Sequence, residues 1–406
     1  MKIETNRRGF LQTAALAGAT AWGVPRMLAA VEPAPVQPVV LGQENGQVPV
    51  APPDRQPANL RLPETAPSKI GWAIVGLGQL ALEEIMPAFR ECKLSRPMAL
   101  VSGHPDKAKK IARAYGINPE AIYDYENYDR LAENKEIDAI YIVLPNSMHA
   151  EFTLRGLRAG KHVLCEKPMS VTVEEADKMV ATARETARKL MIAYRLHYEP
   201  YNQKVMELCR TKALGKIATI SSTNGQNVKA PNIRLSSKLG GGPVGDVGVY
   251  SINAARYITG EEPAEVSAFA HQPTDDPRFR EVPECVSFVL RYPSGIQAHC
   301  DCYFGSAESR NYRVHCKDGY LEMDPAFSYR GQRLKVKRMK GEAETPEDAE
   351  LVLEPVNHFA AEMDHFSNCI LEDKQPNTPG EMGAADMRII AAIEEAVRTG
   401  EVVRVA

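Results

Sequence analysis

From residue 70 onward, short apolar runs alternate with longer stretches in which apolar positions return every three or four residues. The runs at 71–78 "GWAIVGLG", 98–103 "MALVSG", 137–145 "IDAIYIVLP", 161–168 "KHVLCEKP" and 190–198 "LMIAYRLHY" read as strands. Between them, 105–116 "PDKAKKIARAYG", 149–160 "HAEFTLRGLRAG" and 172–189 "TVEEADKMVATARETARK" carry the helical period. Near-continuous apolar strands separated by helices predict a parallel sheet covered on both faces. The pattern changes after about 194. A helix at 202–215, a strand at 216–223 and a helix at 243–260 are followed by runs of strand-like alternation at 264–270, 285–292, 296–304, 311–316, 320–324 and 333–339. Strands that follow one another without helices predict a largely antiparallel sheet. Two amphipathic helices, near 357–372 and 380–399, close the chain, and no internal repeat is visible. The expected fold is α/β: an N-terminal domain over 69–193 with a parallel, helix-covered sheet, then a C-terminal α+β domain over 194–406 with a large, mostly antiparallel sheet.

The first 68 residues follow neither pattern. "NRRGFLQ" (6–12) holds the Arg7–Arg8 pair, and "TAALAGATAWG" and a cleavage-like "LAA" follow. That order matches a twin-arginine signal peptide over 1–30, which predicts export to the periplasm. Its apolar run is too short to span a bilayer, so no membrane partner is expected of the mature chain. The twin-arginine route carries folded proteins, which suits a cofactor loaded before export. Residues 31–68 are dense in proline and lack a period, and are expected to form an extended arm lying on another subunit of a homo-oligomer, dimer or tetramer.

Composition adds mainly exclusions. The chain has 406 residues, 44% hydrophobic and 25% charged, with net charge −3. That balance gives no reason to expect a nucleic-acid partner. Eight cysteines are too few for a disulfide scaffold in a chain this long. Cys300, Cys302 and Cys316 could gather around a metal, but no CxxC pair occurs, and buried core thiols are the favoured reading; no metal is expected.

"VGLGQLA" contains Gly76, Gly78 and Ala81, the G-x-G-x-x-A form of the dinucleotide fingerprint, between a predicted strand and a predicted helix, which makes 69–193 the expected Rossmann dinucleotide-binding domain. Gly76 permits the tight turn, Gly78 lets the backbone approach a pyrophosphate, and Ala81 allows close helix–strand packing. Where an NAD enzyme usually carries an acid, the second strand ends in Ser102, with Lys107, Lys109 and Lys110 beyond. A hydroxyl among cations suits a 2′-phosphate and favours NADP. Lys109 and Lys110 equally suit a solvated helix face.

"CEKP" ends a strand at the crevice where ligands of such sheets bind. There Lys167 can meet a substrate hydroxyl, with Glu166 to orient it or to contact ribose. In "GGGPVGDVGVY", Asp246 and Tyr250 are four apart on one helix face. A Tyr–Lys pair converging on a carbinol is an acid/base pair for hydride transfer. Alternatively, Asp246 complements a helix N-terminus and Tyr250 packs in the core.

With these motifs in order, the chain resembles the oxidoreductase family of glucose–fructose oxidoreductase, inositol dehydrogenase and the rhizopine-catabolism proteins. The likeness runs from about 70 to the C-terminus through "IVGLG", "ALVSG", "IYDY", "LPNSMHAEF", "AGKHVLCEKPM", "LMIAYRLHY", "MDPA" and "PGEMGAADMRIIAAIEEAVRTG". The resemblance implies that Lys167 and Tyr250 handle the substrate proton and that Asp246 binds a sugar. It also implies that Ser102 and Lys107 hold the adenosine phosphate. Gly76, Leu77, Gly78, Gln79, Leu80, Tyr125, Leu144, Pro145, Asn146, His149, Glu166, Lys167, Arg195 and Arg234 would line NADP. Two departures matter. Ile233 precedes Arg234 where a family member has tryptophan, and Tyr250 stands where inositol dehydrogenases use histidine. The implied activity is a periplasmic sugar oxidoreductase with tightly bound NADP. It would oxidise an aldose at C1 to the lactone and reduce a second sugar by ping-pong hydride transfer. A conventional NADP-dependent sugar dehydrogenase and an NAD-dependent glycosidase are the alternatives.

Overall fold

The computed structural model describes residues 69–340 and 345–405. The expected signal peptide and arm lie outside the described residues.

The first sheet contains β1 (Ile70–Val75), β2 (Ser95–Val101), β3 (Ile122–Tyr123), β4 (Ala139–Ile142), β5 (His162–Cys165) and β6 (Leu190–Ile192). All are parallel, in the order β3-β2-β1-β4-β5-β6. Every residue of β1 and β4 is buried, as a strand covered on both faces requires. The covering helices include α1 (Met86–Ala88), α2 (Pro105–Tyr115), α3 (Asn146–Arg158) and α4 (Val173–Glu185). The strand order reverses between β1 and β4. That reversal opens the crevice at the strands' carboxyl ends.

One element differs from expectation. Residues 190–198 do not form a single strand: β6 ends at Ile192, and Arg195–Tyr198 form a 3-10 turn. The backbone folds back at Tyr194, whose N–H donates to Ile192 O and whose carbonyl accepts from His197 N. The apolar run persists because both the strand and the turn are buried, so apolar continuity did not mark the bend.

After α5 (Pro200–Arg210), the second sheet is built from β7 (Ile217–Asn227), β8 (Glu265–His271), β9 (Cys285–Arg291), β10 (Gln297–Tyr303), β11 (Gly305–Cys316), β12 (Gly319–Met323), β13 (Leu334–Lys340), β14 (Thr345–Leu351) and β15 (Val403–Arg404). Its order is β14-β13-β12-β11-β7-β10-β9-β8-β15, and only the β7–β10 pair is parallel. Along β10 the burial alternates, placing Ala298, Cys300 and Cys302 inward. On that inner face lies α6 (Val249–Thr259), tied to β7 by the Ser222–Ser251 hydroxyl pair at 2.8 Å. Burial pushes the Cys300 and Cys302 thiols up. Among the described residues, no group of three His, Cys, Asp or Glu side chains is placed to hold a metal.

The closing helices, α7 (His358–Leu371) and α8 (Gly380–Thr399), return to the first sheet. Asp364 on α7 accepts from Leu94 N at 2.9 Å and Ser95 Oγ at 2.9 Å, and Ser367 accepts from Trp72 Nε1 at 3.2 Å. α7 is thereby fixed behind the crevice. Among the described residues, no helix is long and apolar enough to cross a membrane.

Candidate active site

The glycine turn follows β1 directly. Gly76 has φ +92°, and a Cβ there would lie 2.2 Å from Val143 O, so any side chain would strain the backbone and strike β4's exit. At Gly78 a Cβ would meet nothing within 4 Å, which leaves room for a ligand to come up to the main chain. Gln79 and Leu80 start the helix, which passes through a π-turn at Ala81–Ile85. In that turn Met86 N donates to Ala81 O. Pro87, which has no N–H, follows immediately, and the wider turn accommodates the lost donor.

From the neighbouring strand, Ser102 is buried at the end of β2, and its Oγ accepts from His104 N at 3.1 Å. Lys107 reaches back from α2 to donate to Leu77 O at 2.7 Å, and burial lowers its pKa. Ser102, Lys107 and the glycine turn therefore form one corner. Next to it a cavity of about 800 Å³ is lined by Ser102, Pro105, Lys109, Arg113, Tyr123 and Asp124. Lys109 is mostly exposed and pairs with Asp106 at 3.7 Å, so it serves both the solvated face and this cavity. Tyr125 packs against Gly103 and edge-on to Phe152, 5.4 Å between ring centres. The backbone present fits a dinucleotide: a turn only glycine can make, open approach at Gly78, and a hydroxyl with cations beyond.

Across the crevice, β5 delivers Lys167, whose Nζ donates to the backbone carbonyl of Asp246 at 2.7 Å. The same nitrogen lies 3.6 Å from Asp246 Oδ1 and 4.7 Å from the Tyr250 ring centre. Asp246 sits in a second π-turn, Val244–Gly248, that leads into α6. A π-turn frees carbonyls from the regular ladder. Here side chains take two of them, Lys167 that of Asp246 and Asn224 that of Val247 at 2.9 Å. Arg234 Nε donates to Asp246 Oδ2 at 2.6 Å. Burial pushes the Asp246 carboxyl up, but Arg234 and Lys167 outweigh it and hold the group below its ordinary value of 3.8. Lys167, Asp246, Tyr250 and Arg234 form one cluster, and Tyr250 does not simply fill the core.

The remaining expected residues divide into two groups. Leu144 and Pro145 shape the exit of β4, and Asn146 donates from Nδ2 to Gly240 O at 2.8 Å, tying the two halves of the crevice together. His149, by contrast, is buried between two carbonyls, Pro168 O at 2.7 Å and Leu144 O at 2.9 Å, and burial lowers its pKa. It braces the two strand exits from behind. Glu166 also faces inward: Oε1 accepts from the Tyr141 hydroxyl at 2.8 Å, and burial raises its pKa against the pull of Lys167. Arg195 is buried with its guanidinium 5.3 Å from the Tyr250 ring centre and 4.7 Å from that of Tyr329. It donates to Phe327 O at 2.6 Å and Ser328 O at 3.1 Å.

Three residues near the cluster were not anticipated: Tyr141, Tyr329 and Glu362. Tyr141 lay inside an apolar strand and gave no signal. Tyr329 sits in a loop without periodicity. Glu362 carried one, since it is an acid on the face of α7 that also bears Phe359, Met363 and Phe366.

Comparison with known proteins agrees with this architecture. Residues 70–194 match the oxidoreductase family domain with an NAD-binding Rossmann fold, and residues 202–322 match the GFO/IDH/MocA C-terminal domain. The chain belongs to this family of oxidoreductases. Among solved structures it is similar to the aldose–aldose oxidoreductase of Caulobacter crescentus complexed with glycerol. That pair is 42% identical with a TM-score of 0.79, over 83% of this chain and 99% of that one. A 3-ketoreductase from Actinomadura kijaniata in complex with TDP-benzene and NADP is 26% identical, TM-score 0.72, over 81% and 98%. The NADP-dependent D-xylose 1-dehydrogenase 2 of Haloferax volcanii is 30% identical over 337 residues, 82% of this chain and 98% of that protein.

Proposed function

We propose that this chain is an exported sugar oxidoreductase that retains NADP, oxidises an aldose at C1 to its lactone and reduces a second sugar, ketose or aldose, to a polyol. The observation that carries the reading is the convergence of Lys167 Nζ, the Asp246 carboxylate and the Tyr250 ring across the crevice from the Gly76 turn. The names of the relatives, an aldose–aldose oxidoreductase and NADP-dependent xylose dehydrogenases, support the sugar class. Ser102 and Lys107, with Lys109 and Arg113 on the adjoining cavity, support the 2′-phosphate and hence NADP.

The cofactor that Gly76, Gly78, Ser102 and Lys107 would hold, NADP, would supply the hydride chemistry at C1 of the sugar. The chain's own residues move the proton. Lys167 and Tyr250 take it from the C1 hydroxyl as the carbonyl forms, and return it to the carbonyl oxygen of the second sugar. Asp246 fixes Lys167 and Arg234 and offers a carboxylate to the sugar's other hydroxyls. Gly76 and Gly78 admit the pyrophosphate, and Ser102 and Lys107 meet the adenosine phosphate. Export would separate the enzyme from the cytosolic NADP pool, so a retained cofactor must be reoxidised in place, which makes the kinetics ping-pong. The arm at 31–68 would serve a homo-oligomer.

The test is an absorbance spectrum of the purified full chain with no nucleotide added. On addition of glucose, the band of reduced nicotinamide should appear, and a second sugar should abolish it. Absence of the band, with turnover restored by free NADP, would favour the conventional dehydrogenase. That second reading has its own support in the xylose dehydrogenase relatives.

A further inference from the structure

Behind the Lys167–Tyr250 pair lies a second, fully enclosed set of polar groups that the mechanism above leaves unused. Glu362 is wholly buried on α7, and neither of its carboxyl oxygens has a hydrogen-bond partner. The groups that face it come from several elements. They are Tyr141 from β4, Glu166 from the end of β5, and Arg195 and Tyr198 from the 3-10 turn. His358 shares its helix face at i, i+4. The Tyr141 hydroxyl has one hydrogen, and it goes to Glu166 Oε1 at 2.8 Å. No hydrogen bond reaches the Glu362 carboxyl, although two nitrogens of the same enclosure, Arg195 Nε and His358 Nε2, are themselves without partners. Arg195, the cation among the groups that face Glu362, donates to the carbonyls of Phe327 and Ser328, lies 3.2 Å from His358 Nδ1 and forms no ion pair within 4 Å among the described residues; its Nε is unpartnered.

Two buried carboxyls within electrostatic reach of each other compete for the same cations: Glu166 faces both Lys167 and Arg195, Glu362 only Arg195, so ionising both carries a large desolvation and repulsion cost. Glu166 has the better claim to the charge, because the Tyr141 hydroxyl and the Lys167 backbone N–H both donate to it. Glu362 has neither of these donors, and a wholly buried carboxyl without a donor is least costly as the neutral acid.

We propose that Glu166 and Glu362 act as one carboxyl pair carrying a single negative charge, with Glu362 the proton-holding member and Glu166, bonded by Tyr141, the ionised one. Glu362 is then a positioning residue. Its proton keeps the charge facing Arg195 at one unit, and so sets the field behind Tyr250. Burial and the neighbouring Glu166 both raise the Glu362 pKa, in the same sense. The significance for catalysis rests on the roles proposed for Lys167 and Tyr250; the carboxyl pair itself does not.

The experiment is infrared spectroscopy of the full chain in D₂O between pH 5 and 8, reading the carbonyl stretch of a protonated carboxyl. No ordinary carboxyl stays protonated at the upper end of that range. The wild-type protein should show the band at pH 8, and Glu362→Gln should lack it. In Glu166→Gln the band should titrate away at lower pH than in the wild type, because Glu362 becomes the sole counter-charge to Arg195. Absence of the band in the wild type overturns the proposal, as does its survival in Glu362→Gln. Identical titration in the wild type and Glu166→Gln overturns the sharing of charge. The wild-type spectrum alone is decisive should either variant fail to fold, and none of these readings depends on turnover.

Discussion

The two sides of the crevice are built on different principles. The glycine turn is built from main chain: the φ of Gly76, the open approach at Gly78, and one hydroxyl and one lysine brought in from the end of β2 and from α2. The strand exit of β5 is built from charge. Asp246 holds Lys167 and Arg234 within 4 Å, against the Tyr250 ring and behind it the buried Arg195. The first side asks of its residues mainly that they be small and well placed. The second asks for particular ionisable groups in contact, in a low-dielectric setting where each fixes the state of the next. Substitutions should therefore separate cleanly, with binding and stability changing on one side and the rate of the chemical step on the other.

The largest expected effect tests the charged side. Lys167→Ala and Tyr250→Phe should each slow hydride transfer in a single-turnover measurement by roughly 10²-fold or more, the range for general acid–base groups, while bound nucleotide stays near wild type. Near-normal turnover in either variant removes that residue from the mechanism.

On the glycine side, Gly76→Ala should lower stability by about 2 kcal/mol, read from a urea midpoint, because its φ is positive and Val143 O occupies the space of the new Cβ. An unchanged midpoint would mean that the turn relaxes. A smaller effect is expected from Ser102→Asp. It should weaken NADP relative to NAD by about 1.5 kcal/mol, roughly tenfold, through loss of a donor and like-charge repulsion. Equal preference before and after, measured by titration calorimetry, would remove Ser102 from the phosphate site.

The smallest effect is one of pH. Asp246 is held below its ordinary value, so its contribution to stability is present above 3.8. As pH falls the unfolded chain takes up this proton first, and the stabilisation is lost as pH passes through the lower folded value. Asp246→Asn should flatten this part of the stability curve below pH 3.8. Thermal midpoints that fall equally steeply in both proteins would contradict it.

The same division explains what the sequence disclosed. The parallel sheet was legible because β1 and β4 are buried on both faces and read as unbroken apolar runs. The second sheet was legible from alternation such as that of β10. The bend after Ile192 was hidden, because apolar continuity reports burial and does not distinguish strand from a buried turn. Gly76, Ser102, Lys167, Asp246 and Tyr250 could be named from spacing because each stands at the end of an element. Arg195 and His149 were also visible, but their orientation was not: which way a buried polar side chain turns depends on carbonyls contributed from distant segments, such as Phe327 for Arg195. Tyr141 and Tyr329 enter only through tertiary packing. Glu362 stood out only as an acid on an apolar helix face.

In the proposed reaction, one sugar's oxidation is coupled to another's reduction on a retained cofactor. Its most direct test is to incubate dialysed full-chain protein, without added nucleotide, with an aldose and either fructose or a second aldose, and to quantify both products. Lactone and polyol should form in equal amounts. Product formation that depends strictly on added free NADP would contradict the claim.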